Sequence, residues 1–199
     1  MAKPYAWLNP GLVAGAAVPA VVILLRAATG SLGANWISAA LNQLGYLTLL
    51  FLLSTLACTP AKLALGWTWP IRARRTLGLI AFTYASLHLL TYAALDLGLD
   101  FAQLGEDLAK RPFITVGFLA WLMMLPLAWT STDASVKKLG FKKWKELHRL
   151  SYVCAILGVV HFVWRVKKDA TEPIVFAAVL ALFFAARGVD ALRARARKA

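Results

Sequence analysis

The residues of this chain best suited to chemistry are its three histidines, His88, His148 and His161. Each falls in or beside a long apolar run, where an ionisable side chain is costly and commonly marks a functional site. A lone intramembrane histidine can simply hydrogen-bond a neighbouring helix, so the placement of the three relative to one another matters more than their number. Two neutral imidazoles at one depth on different helices suit axial ligation of a heme iron from both faces, because a porphyrin fits edgewise between helices and needs apolar walls. Leu87, Leu89, Leu90, Phe162 and Trp164 flank the histidines and could form such walls, or equally face lipid or the bundle core. Zinc would need three or four converging ligands, and no acidic residue stands mid-span to join them.

Helices that cross a membrane must position these side chains. Apolar stretches of about 17–25 residues bounded by charged or turn residues predict six spans, at 12–29, 38–58, 76–95, 112–130, 147–165 and 174–190. Pro19 and Pro126 fall inside spans and predict kinks, whereas Pro112 and Pro173 sit at helix starts. The first run follows Lys3 in the manner of a signal peptide, but Arg26 ends it without a small-residue cleavage motif, so it reads as a membrane helix. The expected fold is an all-α integral membrane bundle of six transmembrane helices forming one domain over residues 1–199. If both termini are cytoplasmic, sixteen lysines and arginines lie inside and six outside, the asymmetry that sets topology.

On that orientation the third and fifth spans both run outward. His88, about 18 Å along the third, and His161, about 21 Å along the fifth, then share a depth in the outer half, while His148 sits at the cytoplasmic edge. Thirteen residues separate His148 from His161, about 20 Å along a helix and about 140° around it, so a single interface would need a distortion, for which Gly158 is the candidate. Thirteen residues before His88 stands Arg75, so an inner heme would lack a matching histidine and the heme count stays at one or two. Arg72, Arg74 and Arg75 could hold heme propionates or a flavin phosphate, or serve only to orient the chain. The connection from Asp96 to Arg111 reads as a solvated loop, with a short amphipathic surface helix as its alternative.

Composition narrows the remaining classes. The 199 residues are 60% hydrophobic with mean hydropathy +0.66, beyond the usual soluble domain. A net charge of +13 is gathered in clusters between apolar runs, as topology signals and not as a nucleic-acid surface. Cys58 and Cys154 lie within apolar runs without CxxC spacing and read as buried packing thiols. There is no G-x-G-x-x-G followed by a βαβ pattern and no nucleophile–base arrangement, so electrons must arrive from elsewhere and the chemistry is one-electron transfer on a cofactor. A histidine-lined transporter is the reading from another class, and it predicts an internal repeat that is not apparent here.

The segments IRARRTLGL (71–79), SLHLLTYAALDLG (86–98), KRPFITVGFLAW (110–121), LAWTST (127–132), KKWKELHRLSYV (142–153) and HFVWRVK (161–167) resemble the MsrQ (YedZ) family, within the ferric reductase-like transmembrane superfamily. The resemblance implies a non-catalytic, b-type cytochrome subunit of the bacterial inner membrane. Such a subunit binds heme b and FMN and draws electrons from the quinone pool or a cytosolic flavin reductase. It delivers them to MsrP, a periplasmic molybdenum enzyme that reduces methionine sulfoxide. His88, His148 and His161 match the family's heme-associated histidines; Arg74 and Arg75 are cofactor-binding candidates from the basic cluster itself, not from the resemblance. The outer loops at 96–111 and 166–173 are the expected partner-docking sites. A general ferric or quinone reductase subunit without a dedicated partner is the alternative.

Overall fold

The computed structural model of the chain describes residues 5–166 and 169–197. Of the cations counted for orientation, Lys3, Lys167, Lys168 and Lys198 lie outside the described residues. Among the described residues nine α-helices follow one another: α1 (Leu8–Ala28), α2 (Trp36–Leu65), α3 (Trp69–Leu90), α4 (Phe101–Lys110), α5 (Pro112–Trp129), α6 (Asp133–Leu139), α7 (Phe141–Leu147), α8 (Leu150–Arg165) and α9 (Thr171–Ala196). A π-helical turn, Thr91–Asp96, extends α3 directly. Among the described residues there is no strand.

Among the described residues six stretches are long and apolar enough to cross a membrane: Leu8–Ala28, Trp36–Leu65, Trp69–Asp96, Pro112–Trp129, Phe141–Arg165 and Thr171–Ala196. They contain the six spans expected from hydropathy, apart from single residues at 29 and 130, and make this a multi-pass membrane protein. Helices α2 and α3 form an antiparallel hairpin, α5 pairs with α8, α9 closes against α2 and α8, and α1 leans on α3. At their centre Leu49, Leu52, Leu53 and Leu56 of α2 pack on Ala81 and Ala85 of α3, Met124 of α5, Cys154, Ala155 and Val159 of α8, and Phe176 and Leu180 of α9. Between membrane helices small residues allow the close approach that dispersion needs. Cys58 and Cys154 are both buried free thiols.

The helix ends depart from the hydropathy pattern for identifiable reasons. Helix α2 runs past Cys58 and through Pro60 to Leu65, stopping at Gly66 in the left-handed conformation (φ 69°). Proline lacks an amide hydrogen, so Pro60 strands the carbonyl of Leu56 four residues earlier. The guanidinium of Arg187, in α9, donates to that carbonyl at 2.6 Å and lies over the Tyr152 ring at 5.2 Å. Helix α3 begins seven residues before the expected apolar start, carrying Arg72, Arg74 and Arg75 on its first turns. Helices α1 and α5 continue unbroken through Pro19 and Pro126.

Two connections differ more. The 96–111 connection is not an open loop but contains α4. Asp100 caps it by accepting from the Gln103 amide at 2.9 Å, and its buried Asp107 accepts from the Tyr92 hydroxyl and pairs with Arg111 Nε at 3.0 Å. The fifth span is interrupted at His148–Arg149, between α7 and α8, and not at Gly158. Gly158 stays helical because α8 presses on α2 there: a Cβ would stand 2.9 Å from Leu49 Cδ2.

Candidate cofactor site

His88 lies near the end of α3 and His161 near the end of α8, and the structure brings them together. Their ring centres are 6.2 Å apart with planes at 86°. His88 Nδ1 lies 2.9 Å from the carbonyl oxygen of Leu41 in α2, and His161 Nδ1 lies 2.6 Å from that of Phe113 in α5. A carbonyl can only accept, so each Nδ1 carries the hydrogen and each Nε2 keeps its lone pair. This is how metal-ligating histidines are held: one nitrogen is fixed by an outer acceptor and the other is bare for the metal.

The two halves of the site share one local pattern. Four residues after Leu41 comes Gly45, and four after Phe113 comes Gly117. A Cβ on Gly45 would lie 3.3 Å from His88 Cε1, and one on Gly117 only 2.6 Å from His161 Nδ1. In each half, the missing side chain one turn beyond the carbonyl makes room for the imidazole that bonds to it. Glycine costs a helix roughly 1 kcal/mol relative to alanine, so its use at both positions marks a steric requirement.

A cavity of about 300 Å³ opens beside the histidines, within the range of small-molecule sites. Leu41, Leu49, Leu52, Ala85, Leu89, Met124 and Phe162 form its apolar body. Of the wall residues read from sequence, Leu89 and Phe162 line it. Leu87, Leu90 and Trp164 are instead exposed on the outer surface of the bundle, since their helical positions turn them away from His88 and His161. Toward the α4 end the lining becomes polar, with Ser38, Asn42, Tyr92, Asp96, Arg111 and Arg165. Arg165, four residues after His161, acts electrostatically on both imidazoles.

The residues present fit a heme. Two imidazole–metal bonds of about 2 Å, plus roughly 1 Å from each ring centre to its donor nitrogen, add to about the separation observed between the rings. Among the described residues no three His, Cys, Asp or Glu side chains converge as a metal-ligand set. A donor pair without further ligands suits a metal whose other positions are filled by a macrocycle.

His148 stands apart from this pair and does not line the cavity. Its ring stacks on Trp144, with centres 3.9 Å apart, and its Nε2 lies 3.0 Å from the Thr130 hydroxyl. That hydroxyl gives its hydrogen to the Pro126 carbonyl at 2.6 Å, so His148 Nε2 is the donor to it and Nδ1 is the bare nitrogen. Arg75 pairs with Asp133 of α6 at 2.6 Å. The guanidinium holds that exposed carboxyl below the usual carboxylate range. Arg74 acts electrostatically on His148 and on Arg187. His148, Arg74 and Arg75 thus gather at the end of the bundle opposite α4.

The family described as "ferric reductase like transmembrane component" matches residues 39–159, which hold His88, His148 and both carbonyl–glycine pairs and end within α8, two residues before His161. The chain is 49% identical over 92% of its length to a protein of Deinococcus radiodurans named protein-methionine-sulfoxide reductase heme-binding subunit MsrQ, covering 91% of that protein. Relatives of the same name in Rhodospirillum rubrum and Azospira oryzae are 49% and 51% identical over 89% and 82% of this chain, covering 86% and 70% of theirs. The chain belongs to the MsrQ family. No solved structure matches it significantly.

In this chain the site includes residues that no sequence motif marks. The Leu41 and Phe113 carbonyls carry no sequence signal, since any residue has one. Gly45 and Gly117 do carry one, as isolated glycines inside apolar helices. Arg165 was legible only as a loop cation.

Proposed function

We propose that this chain is the b-type cytochrome subunit of a methionine sulfoxide reductase system. It holds heme b between His88 and His161 and passes electrons across the bacterial inner membrane to periplasmic, molybdenum-containing MsrP. The observation that carries this reading is the pair of imidazoles 6.2 Å apart, each with Nδ1 committed to a helix carbonyl and Nε2 bare. When bound, the heme supplies a one-electron couple whose potential is set by its ligands and by the charge and dielectric around it. The protein's part is positional. Leu41 and Phe113 fix ring tautomer and orientation, the apolar walls exclude water, and Arg165 adds positive charge near both rings.

Both termini cytoplasmic is the topology supported by the charge asymmetry, and it puts the His88–His161 cavity toward the periplasm. Electrons then enter at the opposite end, from the quinone pool or a cytosolic flavin reductase. There His148, Arg74 and Arg75 offer a bare imidazole nitrogen and guanidinium groups, chemistry that suits an FMN phosphate or the carboxylates of a second heme. MsrP docks on the side that presents α4, with the connection at 166–173, whose residues 167 and 168 lie outside the described residues, as the second expected contact.

Absorption spectroscopy of the purified protein tests the core of this reading. A low-spin b-type band that appears on dithionite reduction, and that is lost in both His88→Ala and His161→Ala, is expected; no such band in the wild type overturns it. Electron delivery is tested by mixing the reduced protein with MsrP and following reoxidation in the presence of methionine sulfoxide.

A further inference from the structure

The cavity between His88 and His161 is apolar along its body and charged only at its α4 end, where Arg111 and Arg165 stand with Asp96. Arg111 is engaged, its Nε bonded to the buried Asp107 at 3.0 Å. Arg165 is half-buried, and among the described residues it has neither an ion pair nor a hydrogen bond; Asp96 shares the opening but lies beyond ion-pair distance of it. A guanidinium drawn out of water without an anion is costly, and the cost disappears if the anion arrives with a ligand. The ligand class proposed for this cavity has the matching form, a flat apolar ring bearing two carboxylates on one edge.

We propose that Arg165, assisted by Arg111, binds a carboxylate of the porphyrin held between His88 and His161, so that the acid edge of the ring lies toward α4. This rests on the bis-histidine reading and adds to it. It gives the cavity a direction that the two imidazoles alone do not impose, because a porphyrin turned about the axis joining its ligands would satisfy both histidines equally. It also places a fixed positive charge near the iron, which favours the reduced state of the couple, the one with less positive charge. Arginine is suited to the task because its planar fork meets a carboxylate with two parallel hydrogen bonds.

Two measurements on the full-length protein in detergent test the assignment. In Soret titrations of protein produced without heme, the wild type is expected to bind protoheme at least tenfold more tightly than its dimethyl ester, and Arg165→Gln to reduce that preference to near unity. In redox titrations of the heme-loaded protein, Arg165→Gln is expected to lower the midpoint potential and Arg165→Lys to restore most of the shift, with the low-spin spectrum unchanged in both. Equal affinity of the wild type for acid and ester overturns the proposal, and needs no variant to fold. So does a glutamine variant with wild-type potential and wild-type preference. A wild type without a low-spin bis-histidine spectrum refutes the underlying cytochrome reading instead, which keeps the two failures distinct.

Discussion

The imidazole planes of His88 and His161 stand at 86° to one another, with the ring centres 6.2 Å apart. Each plane is fixed independently, by the carbonyl of Leu41 on one side and of Phe113 on the other. Were both rings to hold a heme iron, perpendicular imidazole planes would leave the two iron d orbitals that they overlap close in energy, whereas parallel ones would split them. The oxidised protein is therefore expected to give a highly anisotropic low-spin electron paramagnetic resonance signal. A rhombic signal typical of parallel ligand planes would show that one ring does not keep the orientation its carbonyl imposes.

Gly117→Ala sets a Cβ 2.6 Å from His161 Nδ1, closer than packed atoms tolerate, so the ring must move off the Phe113 carbonyl. Overpacking of this kind costs about 1–3 kcal/mol, which predicts a several-fold or greater loss of heme per protein. Gly45→Ala, at 3.3 Å from His88 Cε1, is expected to lose less. Pyridine hemochrome content of the two purified variants ranks them.

Replacing His148 separates the two ends of the bundle. Because its ring is bound to Thr130 and stacked on Trp144, away from the cavity, His148→Gln is expected to leave the His88–His161 low-spin signal intact. Any change should be confined to a second heme or flavin component. Loss of all heme in this variant alone, with His88 and His161 variants still loaded, would reverse the assignment of the ligand pair.

Arg187 and Pro60 are expected to be energetically coupled. Arg187→Met removes the donor to the Leu56 carbonyl that Pro60 strands, and an unsatisfied buried acceptor costs about 1–3 kcal/mol. Pro60→Ala supplies a backbone donor to the same carbonyl, so Arg187→Met should destabilise less in that background. Thermal unfolding of the four proteins in one detergent gives the coupling, and additivity would show that the contact does not cap that carbonyl.

Tyr92→Phe tests how α4 is held. Its hydroxyl donates to the buried Asp107, tying the π-helical turn after His88 to α4. Loss of a hydrogen bond to a charged group costs about 1.5–3 kcal/mol, so amide exchange across residues 101–110 should accelerate while the cores of α2 and α8 stay protected.

Much of this architecture was legible in the sequence because it follows from one length scale. A run long enough to cross hydrocarbon must be a helix, and a fixed rise per residue then puts His88 and His161 at one depth. Hydropathy says nothing of which way a side chain turns, so Leu87, Leu90 and Trp164 were as good wall candidates as Leu89 and Phe162. Helix α4 is obscured because it is held by its buried Asp107, bonded to Tyr92 outside the helix and paired locally with Arg111, and not by an apolar run. Glycine is the usual weak point of a helix, which makes Gly158 the candidate for a distortion between His148 and His161; the interruption lies at His148–Arg149 instead, and Gly158 serves close packing against Leu49. The pairing of Arg187 with Leu56 spans 131 residues, a separation at which local pattern carries no information.

The two half-sites also constrain how the molecule is made. His88 finds its carbonyl 47 residues upstream and His161 finds its own 48 residues upstream. During synthesis the α2–α3 hairpin can therefore assemble one clasp well before α8 leaves the ribosome, and the second forms only when α8 returns to α5. A nascent chain stopped before residue 161 has one prepared ligand and nothing to face it. On the proposed bis-histidine reading, insertion of the prosthetic group waits until α8 has returned to α5, and it joins two separately folded hairpins.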